Sequence, residues 1–217
     1  MKVIIIGANG KVGKRVLKQM ADSDNYEPTA FIRKEEQKAY FTSIQVPVIV
    51  ASLESSEEII AEAIKGFDAV VFCAGSGGST GYDKTIEIDL YGAIKVINAA
   101  TISGTDRFIM VGAAFSDQPS YWKDGMKPYY IAKHLADKEL IRSGLNYTIL
   151  RPVLLTEDAE AGKIMLQSDP NLLNDKISRE AVAETIINIL PNADTYGKIL
   201  EMSEGPLEIE RAVKQFV

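Results

Sequence analysis

Two side chains with the spacing to move a proton stand at Tyr129 and Lys133, in Tyr129-Tyr130-Ile131-Ala132-Lys133. Four residues apart on a helix, they share one face. A lysine ammonium beside a tyrosine stabilises the phenolate, so Tyr129 is expected to ionise more easily than a free tyrosine. Such a group can give a proton to, or take one from, a carbonyl or alcohol oxygen near neutral pH. Tyr130 is adjacent but lacks the offset to Lys133. A surface helix bearing an aromatic side chain and a solvated lysine shows the same pattern, so the pair gains meaning only beside a second site.

That second site is Gly7-Ala8-Asn9-Gly10-Lys11-Val12-Gly13. It follows the apolar run Val3-Ile4-Ile5-Ile6, which suits a buried parallel strand. It precedes Lys14 to Met20, a helix pattern with Val16, Leu17 and Met20 on one face. Strand, glycine turn and helix in that order predict dinucleotide binding. Gly7 leaves the strand in a tight turn, Gly10 lets the backbone approach a pyrophosphate, and Gly13 lets the helix pack closely. The anion would meet unpaired N–H groups at the positive end of the helix. The turn from Gly7 through Asn9, Gly10, Lys11, Val12 and Gly13 is therefore the expected cofactor cradle. Its first gap is one residue wider than in G-x-G-x-x-G. A glycine turn joining strand to helix in a ligand-free α/β protein is the plainer alternative.

Arg33 ends the second strand pattern, where a dinucleotide presents its adenosine ribose. An acidic residue there would take the ribose hydroxyls of NAD. Arginine instead offers a planar fork matched to phosphate oxygens, and Lys34 and Lys11 add positive charge. NADP(H) is therefore favoured over NAD(H). Lys133 could then hydrogen-bond the nicotinamide ribose.

The elements that must hold these residues follow from hydrophobic pattern. Further strands are expected at Tyr26 to Ile32, Val46 to Val50, Asp68 to Cys73, Phe108 to Val111, Tyr147 to Leu150 and Lys198 to Met202. Helices are expected at Glu35 to Phe41, Ser55 to Ile64, Thr85 to Ala100, Tyr129 to Arg142, Arg179 to Leu190 and the last residues to Phe216. In the long helix Ile86, Leu90, Ile94 and Ile97 are spaced for one apolar face. Strands alternating with helices predict a doubly wound parallel sheet, Rossmann-like, with helices on both faces. One domain is expected, with residues 1–150 as its core and 151–217 as a small lobe over the carboxyl ends of the strands.

The chain has 217 residues, 46% hydrophobic and 25% charged, enough for one well-buried domain. A net charge of −6 argues against broad binding of nucleic acid or anionic membrane. No apolar stretch approaches a membrane span. A single cysteine, Cys73, excludes an intramolecular disulfide and fits a cytoplasmic setting. It reads as a small apolar core residue. The lone His134 reads as a surface residue, and with no Cys/His cluster there is no ligand set for zinc. The long loop from Gly112 to Pro128 carries Tyr121 and Trp122, which read equally as a lid over a small-molecule substrate or as loop packing.

In chain order, Gly7-x-x-Gly10-x-x-Gly13, Arg33, Ala74-Gly75, Tyr129-x-x-x-Lys133 and Leu150-Arg151-Pro152 resemble the short-chain dehydrogenase/reductase superfamily. More narrowly, the chain is similar to its small atypical members with NAD(P)H-binding, NmrA-like domains, over nearly its whole length. The resemblance implies further cofactor contacts. Ser52 and Leu53 stand where a family Asp-Leu pair approaches the adenine. Ala74, Gly75 and Ser76 would line the ribose and pyrophosphate, and Pro152, Val153 and Leu154 the nicotinamide. Asp89 stands near a family asparagine that supports the lysine. The chain departs from the family at the end of strand five, where a serine usually binds the substrate oxygen and Gly112 or Ala113 stands here. Ser116 is the nearby hydroxyl that could compensate. The leading reading is an NADPH-dependent oxidoreductase acting on a small carbonyl or conjugated substrate. The missing serine keeps open a non-catalytic NADP(H)-dependent sensor, and the superfamily also holds sugar-nucleotide epimerases and dehydratases.

Overall fold

The computed structural model describes residues 1–78, 80–158 and 162–217. β1 (Lys2–Ile6) pairs in parallel with β2 (Glu27–Ile32) on one side and β4 (Ala69–Phe72) on the other. β3 (Val48–Val50) extends the sheet beyond β2. β5 (Arg107–Val111), β6 (Asn146–Pro152) and β10 (Lys198–Glu204) extend it beyond β4, all parallel. β8 (Ile164–Gln167) closes that edge antiparallel to β10. The order is β3-β2-β1-β4-β5-β6-β10-β8. Successive connections run outward from β1 in one direction and then, from β4, in the other. The carboxyl ends of β1 and β4 therefore flank a crevice, where ligands sit in an open α/β sheet.

The central strands of this sheet are covered on both faces. Along β1, Val3 and Ile5 enter one core while Ile4 and Ile6 enter the other, as the period of two requires. The first face is covered by α1 (Lys11–Ala21), α7 (Arg179–Ile189) and α8 (Ile209–Phe216), with Phe41 of α2 (Lys38–Ser43). The second is covered by α3 (Glu57–Ile64), α5 (Ala93–Ser103) and α6 (Lys127–Arg142). The doubly wound, Rossmann-like reading holds. The stretch beyond Arg151, expected as a small lobe, divides: β10 and β8 enlarge the main sheet, while β7 (Leu154–Thr156) and β9 (Lys176–Ser178) pair in a separate sheet. Among the described residues no helix is long and apolar enough to cross a membrane.

Two local departures bear on the site. The expected helix from Thr85 is preceded by the short α4 (Tyr82–Lys84) and is wound as a π-helix over Thr85–Gly92 before α5 begins. The wider winding turns Thr85, Asp89 and Gly92 inward and leaves Ile86, which regular spacing puts in the core, exposed. Such π turns admit an extra residue and shift the facing side chains. In addition, Arg151 on β6 and Glu201 on β10 are register partners, and both are buried. Arg151 donates to Asp137 of α6 at 2.9 Å and to Glu201 at 3.0 Å, and pairs with Asp117 at 2.8 Å. Ser116 donates to the same Asp137 oxygen at 3.2 Å. This cluster pins the loop after β5 to α6, β6 and β10.

Gly13 packs against the turn it follows: a Cβ there would lie 2.5 Å from the Gly7 carbonyl oxygen and 2.9 Å from Ala8 Cα. Gly13→Ala should therefore cost about 2–3 kcal/mol, read as a lower urea midpoint. The Arg151 cluster holds three carboxylates against one guanidinium, and burial pushes the Glu201 carboxyl up to about 7. Stability from the protonated acid is fully present below the ordinary glutamate range and is lost as pH rises through about 7. Glu201→Gln should flatten this fall, measured as urea midpoints at about pH 5 and about pH 8.

Candidate active site

The glycine turn is built as an anion cradle. Gly7 adopts φ +90°, and a Cβ there would lie 2.5 Å from Ala74 N, so the turn after β1 and the loop after β4 are in contact. Cys73 N donates to the Ile6 carbonyl at 2.9 Å, and Gly10 N to Gly7 O at 2.9 Å. Gly10 is the N-cap of α1, with no side-chain cap and no acidic residue in the first turn. A Cβ at Gly10 would meet only the Gly7 oxygen, at 3.1 Å. A helix start that no side chain of its own satisfies, behind a bare backbone face, suits a pyrophosphate. The residues present therefore fit a dinucleotide. Asn9 is exposed and Val12 is buried under the turn. Lys11 reaches away to Glu157, at 2.6 Å, which also receives Arg179 at 2.7 Å and Arg15 at 3.3 Å. The charge that sequence alone offers to a phosphate is thus engaged by the segment after β7.

Where the sequence reading puts the adenosine, the main-chain N–H groups of Arg33 and Lys34 both donate to Gln37 Oε1, at 3.1 and 3.2 Å. This fixes the turn after β2. The Arg33 side chain is exposed, and among the described residues no hydrogen bond or ion pair engages its guanidinium. Ser52 is half-buried and its hydroxyl accepts from Glu54 N at 3.1 Å. Leu53 is buried against the π turn at Gly92. Where the resemblance puts the nicotinamide, Pro152 is buried at the end of β6, Val153 N donates to Met202 O at 3.1 Å, and Leu154 is exposed.

The structure brings Tyr129 and Lys133 together on one face of α6, with Lys133 Nζ 5.8 Å from the Tyr129 ring centroid. Lys133 is 5% exposed. Its ammonium pairs with Asp89 Oδ1 at 3.2 Å and donates to Val111 O, at the end of β5, at 3.4 Å. The other Asp89 oxygen accepts from Ser76 N at 2.9 Å. One carboxylate thus joins the π turn, the Ala74–Ser76 loop and α6. Gly75 lies against it, with its Cβ position 3.1 Å from Asp89 Oδ1.

Several expectations change here. Tyr129 does not ionise more easily: burial pushes its hydroxyl up, Lys133 opposes this, and Asp89 adds to the rise. Burial pulls Lys133 down, but the Tyr129 and Asp89 charges outweigh it and hold the ammonium above its usual range. Ser116 does not replace the missing serine, because it is fully buried and its hydroxyl is committed to Asp137. The space beside Gly112 is filled by Asp137 and Arg151, whose atoms would lie 3.2 Å from a Cβ there. Of the two readings offered for Tyr121 and Trp122, packing is what the structure shows: Tyr121 stacks on Phe115 at 4.8 Å and donates to Asn171 Oδ1, Trp122 stacks on Tyr130 of α6 at 5.9 Å, and the indole donates to Phe115 O. His134 is half-buried with Nδ1 enclosed, not a surface side chain. Cys73 is half-buried at the end of β4, its thiol donating to Ile6 O and pushed up by burial to about 12.

The Arg151 cluster and Glu157 escaped the sequence reading. A signal for the first was present: Arg151 directly follows the expected strand Tyr147 to Leu150 and lies within the observed β6, and a buried arginine requires acceptors. Asp137, one turn beyond Lys133 on α6, was the nearest candidate.

A model of the family described as NAD(P)H-binding matches residues 7–193. The uncharacterized sugar epimerase YhfK of Bacillus subtilis is 46% identical over 215 residues, covering 99% of this chain and 100% of that protein. A candidate NAD-dependent epimerase/dehydratase from Bacillus halodurans superposes with a TM-score of 0.93 at 39% identity, covering 99% of each chain. The oxidoreductase ylbE from Lactococcus lactis superposes with a TM-score of 0.87 at 34% identity, covering 99% of this chain and 96% of that one. With the glycine cradle at the head of its sheet and this match over most of its length, the chain belongs to the NAD(P)H-binding family.

Proposed function

We propose that this protein is an NADPH-dependent oxidoreductase that reduces a small carbonyl or conjugated substrate. The observation that carries the reading is the placement of Tyr129 and Lys133 on one face of α6, with Lys133 tied through Asp89 to the loop beside the glycine cradle. An ammonium has three N–H donors, and Asp89 and Val111 take two of them. The third is free for a ribose hydroxyl. The bound cofactor supplies hydride from the nicotinamide. Tyr129 supplies the proton to the substrate oxygen, and Lys133 orients the ribose and balances the charge left on Tyr129. In this reading Pro152 and Val153 would face the nicotinamide from the end of β6, and Ala74, Gly75 and Ser76 would line the ribose and pyrophosphate. Ser52 and Leu53 border the adenine, and Arg33 takes the 2′-phosphate that separates NADP(H) from NAD(H). The single cysteine suits a reducing compartment, the cytoplasm.

Sugar epimerisation is the second reading, favoured by the description of the Bacillus subtilis relative. It would leave the cofactor unconsumed over a full turnover, whereas a reductase consumes NADPH in step with product.

Fluorescence titration of the purified protein should show NADPH binding more tightly than NADH. Arg33→Ala should weaken NADPH about tenfold or more while changing NADH little, as expected for loss of a charge-assisted phosphate contact. Failure of both nucleotides to bind would overturn the cofactor assignment. With a panel of carbonyl and quinone substrates, Tyr129→Phe should lower turnover by about a hundredfold or more at nearly unchanged NADPH affinity. Full turnover by Tyr129→Phe would remove the tyrosine from the chemistry.

A further inference from the structure

The position opposite Lys133 carries a carboxylate. Asp89 is 2% exposed, and each of its oxygens faces a donor: Lys133 Nζ at 3.2 Å and Ser76 N at 2.9 Å. A carboxylate accepts at both oxygens, whereas an asparagine would turn an NH₂ group toward one of these donors. The pair is closed to solvent, so neither charge is screened by water. The charge that would draw a proton off Tyr129 is therefore largely matched before the tyrosine feels it. The other ionisable groups around the site do not restore it. Burial of the Tyr129 hydroxyl is the largest influence and acts in the same sense as Asp89, as do Tyr130 and Asp137 from α6. From the end of β4, the Cys73 thiol faces Lys133 and carries no charge near neutral pH, being pushed up to about 12.

We propose that Asp89 is a positioning residue that spends the charge of Lys133 in a buried ion pair, keeps Tyr129 a neutral phenol across the physiological range, and so sets this site for reduction. The inference rests on the reading of Tyr129 as proton donor. In that step the substrate carbon would take the hydride that a bound reduced nicotinamide supplies, leaving the cofactor oxidised, while the C=O π pair passes to the substrate oxygen. An O–H bond forms with the proton leaving Tyr129 Oη, and the tyrosine is left as phenolate until water returns a proton. A phenol that stays protonated serves this step throughout the neutral range. The reverse step, oxidation of an alcohol, needs the phenolate and gains only in alkaline solution.

The test is a pH titration of the cofactor-free protein labelled with ¹³C at tyrosine Cζ, followed by NMR, with the Tyr129 signal assigned by its loss in Tyr129→Phe. In the unaltered protein Tyr129 should titrate above the ordinary tyrosine value of about 10. In Asp89→Asn its midpoint should fall by about one unit or more, because Lys133 is no longer matched. Asp89→Glu, which keeps the charge, should stay close to the unaltered protein. A packing role alone would move no midpoint. A Tyr129 midpoint below about 9 in the unaltered protein overturns the inference whatever the variants do. Equal midpoints in the unaltered protein and a folded Asp89→Asn, judged by the other tyrosine signals, overturn it too. None of these readings depends on turnover, so loss of the inference is separable from a Tyr129→Phe protein that remains fully active, which would remove the proton-donor reading itself.

Discussion

A buried ammonium has to be met by acceptors, and that requirement shapes the centre of this protein. Lys133 leaves water almost entirely, at a cost that only a close counter-charge and further hydrogen bonds can offset. The counter-charge comes from Asp89 and the further acceptor from Val111 at the end of β5. To present Asp89, the chain winds a π turn over Thr85–Gly92 that aims the carboxylate inward and leaves Ile86 outside. To satisfy the second Asp89 oxygen, the Ala74–Ser76 loop closes onto it. The same loop lies against the Gly7 turn, so one ion pair is mechanically continuous with the cofactor cradle.

A second charged cluster braces the first from below. Arg151, Asp137, Glu201, Asp117 and Ser116 tie the ends of β6 and β10 to α6 and to the loop after β5. Asp137 is a helical turn beyond Lys133, so the inner face of α6 carries both a pair that meets the cofactor crevice and a pair that meets the sheet. Removing one partner of such a buried pair leaves a bare charge in a low-dielectric interior, typically a loss of about 3–5 kcal/mol. The cluster also accounts for Gly112. Its atoms crowd the position where a side chain at residue 112 would begin, and the serine expected by resemblance has no room there without a shift.

The consequence for chemistry is a site with one evident proton donor. Gly112 and Ala113 carry no donor in their side chains and Ser116 is committed to Asp137, so under the proposed reading the substrate oxygen is left to Tyr129. The aromatic residues of the long loop pack on one another and on Tyr130, which makes the loop a roof resting on α6 as much as a surface for a ligand. Beside this, the start of α1 carries no side-chain cap and the Arg33 side chain is exposed, the two places where the proposed reading puts the phosphates of a dinucleotide. The family match covers residues 7–193 and so includes the glycine turn, Asp89, Tyr129 and Lys133.

Much of this was legible in the chain itself. The strand-glycine-helix opening, the alternation of strands and helices, and the shared face of Tyr129 and Lys133 depend on local periodicity and on glycine sterics, which act over a few residues and leave their mark in residue order. Spacing hid the inward turn of Asp89, because a π turn breaks the period on which that reading relies, and only the family resemblance put it beside the lysine. The last third of the chain was underread because nothing in the residues of β10 says which strand it joins. The raised Tyr129, the filled space at Gly112 and the partners of Arg151 were decided only by the tertiary structure. Burial and charge at a point are sums over everything packed around it, and partners such as Arg151 and Glu201 stand 50 residues apart. Sequence named the groups able to do chemistry; the folded arrangement of their neighbours decided in which protonation state they stand.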